Sequence, residues 1–156
     1  MRRLAKAYPD AQSLSKARPA ELQKLIKSIG LYRNKSKNII AAARQVMEMH
    51  QGKVPQDMQA LYELPRVGRK TANVVRYNGF GLPGLAVDTH VLRVGKRLGL
   101  FQSQDPVVVE AELCALLPPK QWGMCSHWLI WHGRRICGAR KPQCSSCKLE
   151  IGRAHV

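Results

Sequence analysis

Acidic residues are scarce in this chain of 156 residues: 10 Asp and Glu stand against 26 Lys and Arg, for a formal charge of +16. So basic a polypeptide repels itself unless an anion meets it. Nucleic acid is the partner such a balance points to, because phosphates reward Lys and Arg through charge pairing and counterion release. The bland alternative is a ribosome-associated or merely basic protein. Long apolar runs are also missing: no stretch of about 18 apolar residues occurs, so no membrane span is read. Met1-Arg2-Arg3-Leu4 is not followed by an apolar segment of the kind that directs export. Cysteine is absent before Cys114, and the total of five is odd. That speaks against a secreted disulfide framework and for a reducing cytoplasm. Strand patterning is nearly absent; Val107-Val108-Val109 follows Pro106 and precedes a helical pattern, so it reads as helix.

What is present is a succession of helices and turns. Pro19 opens a helix through Leu22, Leu25, Ile26 and Ile29, which Gly30 ends. Asn34 is placed to cap the next, with Ile39, Ile40, Ala43, Val46 and Met47 on its apolar face. Asp57 caps a short helix from Met58 to Glu63, and another runs from Arg69 to about Phe80. Asp88 caps a helix through Val91, Val94 and Leu98, stopped by Gly99. Pro106 starts one with Val109, Leu113, Leu116 and Leu117 inward, and Trp122 to Ile136 is the last. The sum is an all-α protein of about seven helices. Cys114 and Cys125 read as core thiols, and the pairs His127/Trp131 and Trp128/His132 as packing between the last helix and the segment after it.

The turn Leu64-Pro65-Arg66-Val67-Gly68 joins two of these helices over residues 57–80. The free N–H groups at the start of the second helix, with the amides of the turn, can bind an anion such as a DNA phosphate. Phosphate contacts position a duplex without reading its sequence. Arg66, Val67, Gly68 and Arg69 are the candidates. An ordinary αα-hairpin with a glycine turn is the plain alternative.

The run Leu64 to Asn73 resembles the helix-hairpin-helix signature of the endonuclease III family of DNA glycosylases, and Val87-Asp88-Thr89-His90 resembles its catalytic aspartate segment. Cys137-x6-Cys144-x2-Cys147 resembles its iron–sulfur loop; Gly30-Leu31-Tyr32 and His127-Trp128-Leu129 are similar to it as well. The resemblance implies a helix-hairpin-helix glycosylase fold: a helical barrel domain over 1–83, and a second helical domain over 84–150 that holds the cysteine cluster at 137–147. It implies removal of oxidised pyrimidines from duplex DNA and cleavage 3′ to the abasic site by β-elimination, by a monomer. Lys70 is then the nucleophile and Asp88 the essential carboxylate. A non-catalytic DNA-binding module, or an inactive fragment, is the alternative. The resemblance also sets Met1 at an internal point of such enzymes, so their first barrel helices and the polar wedge that fills the gap left by a flipped nucleotide have no counterpart here.

Asp88 lies 18 positions after Lys70 (88 − 70). A helix of about 11 residues is roughly 16 Å long, and the loop from Gly81 to Val87 can span about 23 Å. The loop can therefore return the chain to the end where Lys70 sits, bringing two helix starts together. Arg66 occupies a place where the family has glycine in a tight turn; a left-handed backbone there costs arginine about 1–2 kcal/mol.

In the family, four cysteines hold a [4Fe–4S] cluster. By resemblance Cys137, Cys144 and Cys147 are three of them, and Arg140 and Lys141 in the loop meet DNA. The fourth falls at position 153, where Arg153 stands. Zinc held by three cysteines and His155, or a Cys144/Cys147 redox pair, are alternatives. Residues 151–156 read as a non-native tail resembling a translated sequencing adapter.

Overall fold

The computed structural model describes residues 2–149, and the tail at 151–156, with Arg153 and His155, lies outside them. The described residues form nine α-helices and two short 3-10 turns, without strands. They group into two compact units, Met1–Gly68 and Arg69 onward.

In the first unit, α1 (Arg2–Ala7) and α2 (Ala11–Ser15) precede the first helix expected from the sequence. They are too short to show an apolar period. What defines α2 is a cap: Asp10 accepts from the Ser13 amide at 2.7 Å while the Ser13 hydroxyl accepts from the Asp10 amide. Helix α3 (Pro19–Ile26) starts with Pro19 at its first position and ends short of Ile29, which is exposed. Helix α4 (Tyr32–His50) is the longest, and Asn34 does not cap it. The chain enters through Leu31, which is left-handed at φ 58°, so Asn34 already lies inside the first turn. Ala17, Leu22, Ile26 and Ile40 form the core of this unit. Helix α5 (Met58–Glu63) is capped by Asp57, whose carboxylate accepts from the Ala60 amide at 3.0 Å.

The second unit contains α6 (Arg69–Phe80), α7 (Thr89–Arg97), α8 (Pro106–Leu116) and α9 (Trp122–Arg135). Within this unit α6 packs on α9. Two glycines on α9 permit close approach. A methyl group added at Gly123 would overlap the Tyr77 ring of α6, and one at Gly133 would press on Val94 and Arg93 of α7. Leu85, Val91, Val94, Phe101, Val109, Leu113 and Leu129 make the core. The valine run is helical, as its position after Pro106 suggests. Leu116 departs from its expected inward position and is 60% exposed. Helix α8 is apolar around much of its circumference, so sequence period alone does not fix which stripe faces inward. No described helix is long and apolar enough to cross a membrane.

Candidate active site

Lys70 is the second residue of α6, and 55% of its side chain is exposed. From the far end of α6 the chain turns at Gly81 and runs back as an extended segment whose residues Leu85, Ala86 and Val87 are buried. The Ala86 amide donates to Ser126 Oγ at 3.0 Å, fixing the segment to α9. Asp88 therefore arrives beside Lys70, with Nζ and Oδ2 3.9 Å apart. The other carboxylate oxygen, Oδ1, accepts from the amides of His90 at 2.8 Å and Val91 at 2.9 Å, capping α7. One oxygen of Asp88 thus closes a helix while the other faces the amine. Its side chain is only 10% exposed, so the pair is an exposed amine over a sheltered carboxylate.

Arg69 is engaged by Glu110 through two bonds, Nε to Oε2 at 2.7 Å and Nη2 to Oε1 at 3.0 Å. Its guanidinium is held against α8 by the fork geometry that arginine and carboxylate share. In the turn, the Val67 amide donates to Leu64 O at 3.1 Å, so in this arrangement that N–H is used within the turn and not for an anion. Arg66 and Gly68 are exposed. Arg66 is left-handed at φ 61°, the glycine-like conformation anticipated for that position.

The cysteines do not gather. Among the described residues no group of three or more His, Cys, Asp or Glu side chains could hold a metal ion. Cys137 is buried, and its Sγ accepts from Arg97 Nη1 at 3.1 Å. Cys147 Sγ lies 3.7 Å from His132 Nε2, and Cys144 is exposed. As placed, these three described thiols do not form the shared ligand set of a [4Fe–4S] cluster; position 153 lies outside the described residues. The loop is held by arginines instead: Arg93 donates to the carbonyls of Gly133 (2.9 Å) and Cys137, and Arg97 to those of Gly138 (2.9 Å) and Ala139. Arg140 and Lys141 are exposed at its tip. Trp128 and Trp131 are 58% and 55% exposed, so it is the histidines that pack, His132 on Cys147 and His127 edge-on to Tyr77. Burial pushes the Cys114 thiol up to about 11, aided by the nearby Glu110 charge.

Glu110, Arg93 and Arg97 were not legible as site residues. Glu110 left one clue, a carboxylate on the apolar stripe of Val109 and Leu113.

The chain belongs to the HhH-GPD superfamily of base excision DNA repair proteins, whose family model matches residues 1–119. Within it the kinship is with endonuclease III. The chain is 48% identical over 147 residues to the endonuclease III of Synechocystis sp., covering 94% of this chain and 67% of that one. It thus spans about two thirds of that relative's length. A non-covalent endonuclease III–DNA complex matches with a TM-score of 0.87 at 44% identity, over 95% of this chain and 70% of that chain. A trapped endonuclease III–DNA covalent intermediate matches with a TM-score of 0.88, also at 44% identity and over the same shares of the two chains.

Proposed function

We propose that Lys70 and Asp88 are the working pair of a DNA glycosylase that also cleaves at the abasic site, acting on oxidised pyrimidines in duplex DNA. Membership of the endonuclease III family supports the glycosylase and lyase class. The observation that carries the residue assignment is the approach of Nζ to the carboxylate of Asp88 at 3.9 Å across 18 residues of sequence (88 − 70).

The Lys70 amine, with its proton lost, gives its lone pair to C1′ of the damaged nucleotide. The C1′–N bond to the base breaks with its electron pair on the base, which takes up a proton. Opening of the C1′–O4′ bond, with protonation of O4′, leaves an iminium between C1′ and Nζ. The iminium acidifies C2′, whose proton departs to a base as the C3′–O bond breaks and the 3′ phosphate leaves. Asp88 Oδ2 is placed to accept a proton from the ammonium form of Lys70 and to oppose positive charge developing on the sugar.

DNA is held on this reading by Arg66, Gly68 and the start of α6, and by Arg140 and Lys141 on the loop after α9. Arg69 is committed to Glu110 rather than to the duplex.

Borohydride trapping tests the assignment. A duplex carrying one abasic site, incubated with the chain and sodium borohydride, yields a covalent adduct that Lys70→Ala abolishes. Binding of the duplex with no adduct means that the chain is a DNA-binding module without catalysis.

A further inference from the structure

We propose that Glu110 is a positioning residue for Lys70, acting through Arg69; this rests on the reading of Lys70 as the nucleophile. Glu110 is 8% exposed, on the stripe of α8 that carries the fully buried Val109 and Leu113. A carboxylate in such a wall persists only when its oxygens are satisfied by a cation. Arg69 satisfies both oxygens, at 2.7 and 3.0 Å. It is also the first residue of α6, bonded directly to Lys70.

The first turn of α6 needs such an anchor. The preceding residue, Gly68, has no side chain to accept from the free amides of the turn, and uncapped first turns fray. At its other end α6 is fixed by Tyr77, which lies flush against Gly123. The Arg69–Glu110 fork supplies the second fixed point, at the end where the amine stands. Because the fork sets two bonds at once, it holds the helix start in direction as well as place. It also occupies the guanidinium next to Lys70, which leaves Asp88 Oδ2 facing the amine. Reacting groups held about 1 Å from their place lose about 100-fold in rate, so loosening this turn registers in the chemical step more than in binding.

The test uses the full chain under single-turnover conditions with saturating abasic-site duplex, at a temperature where circular dichroism confirms full folding. The readouts are the rate of borohydride trapping and the Kd for a duplex carrying tetrahydrofuran, an abasic analogue that forms no imine. Glu110→Gln is expected to slow trapping about tenfold, with Kd changed less than about twofold. Arg69→Lys keeps the charge but loses the fork, and is expected to slow trapping by a similar factor; it serves if Glu110→Gln fails to fold. Glu110→Asp, which restores the charge, is expected to recover part of the rate. Trapping at the wild-type rate in folded Glu110→Gln or Arg69→Lys overturns the proposal, as does a loss of rate matched by an equal loss of affinity. A wild-type chain with no Lys70-dependent adduct overturns both readings, whereas an adduct whose rate ignores Glu110 overturns this one alone.

Discussion

Lys70 and Asp88 open different helices, α6 and α7, yet the amine of one stands 3.9 Å from the carboxylate of the other. The returning segment makes this possible. It is buried from Leu85 to Val87 and hydrogen-bonded to Ser126, so it delivers Asp88 along a fixed path.

The two oxygens of Asp88 have separable duties, and two substitutions divide them. Asp88→Asn keeps an oxygen for the amides of His90 and Val91 while removing the charge that faces Lys70. Trapping is expected to fall at least about 100-fold, with the melting temperature nearly unchanged. Asp88→Ala is expected to lose the same activity and about 1 kcal/mol of stability besides, the usual worth of a cap. Thermal denaturation alongside single-turnover trapping checks both.

Arg66 carries a left-handed backbone at φ 61°. Replacing it with glycine relieves about 1–2 kcal/mol of strain and returns part of that as unfolded-state entropy. Arg66→Gly is therefore expected to gain about 0.5–1 kcal/mol in urea denaturation. A lower midpoint would mean that the arginine side chain contributes more than its backbone costs.

The two main elements of the candidate site were legible to different degrees. Asp57, Asp88 and Pro106 announced their helices because a capping side chain or a fixed φ acts locally, on the residues that follow. The meeting of Lys70 and Asp88 followed from helix rise and loop reach once resemblance had singled out both residues. The Arg69–Glu110 fork was hidden because 41 residues separate its members and charge alone does not choose among 26 cations. Helices α1 and α2 were missed because five or six residues carry too little periodicity, and only the Asp10–Ser13 cap marks α2. The cysteines show the opposite failure: their spacing suggests a common ligand, while their side chains go to Arg97, to His132 and to solvent.

Gly123 and Gly133 are expected to reject even alanine. A methyl at Gly123 meets the Tyr77 ring, and one at Gly133 meets Val94 and Arg93, so each substitution must shift one helix from another. The expected loss is about 1–3 kcal/mol, typical of overpacking, and chemical denaturation measures it. Gly123→Ala should also slow trapping, because it moves the helix that carries Lys70.

Stability should decline at alkaline pH through Cys114. Its thiol is raised from 9.0 to about 11 in the folded protein, chiefly by burial. Below pH 9 both folded and unfolded chains keep the proton, and stability is insensitive to this group. Between pH 9 and about 11 the unfolded chain ionises while the folded one does not, so stability falls across that window. Cys114→Ala should flatten the decline, as urea titrations at pH 8 and pH 10.5 would register. An unchanged slope would place the effect elsewhere.

Salt titration of DNA binding separates free cations from engaged ones. Each phosphate contact contributes a slope of about −0.9 in log affinity against log salt. Arg140→Gln with Lys141→Gln is expected to reduce the slope by about 2, whereas Arg69→Gln should reduce it by much less, its charge being paired with Glu110.

The loop after α9 is secured at both of its feet. Arg93 and Arg97 grip the carbonyls from Cys137 to Ala139, and the Gln143 amide donates back to Ile136 O at 2.9 Å. What lies between is a handle on fixed hinges, with Arg140 and Lys141 at its outer edge. The bonds at its feet go to backbone carbonyls, so substituting Arg140 and Lys141 is expected to leave the helices beneath in place. With Arg140 and Lys141 as the proposed DNA contacts, changes in this stretch are expected to alter DNA affinity without disturbing the lysine.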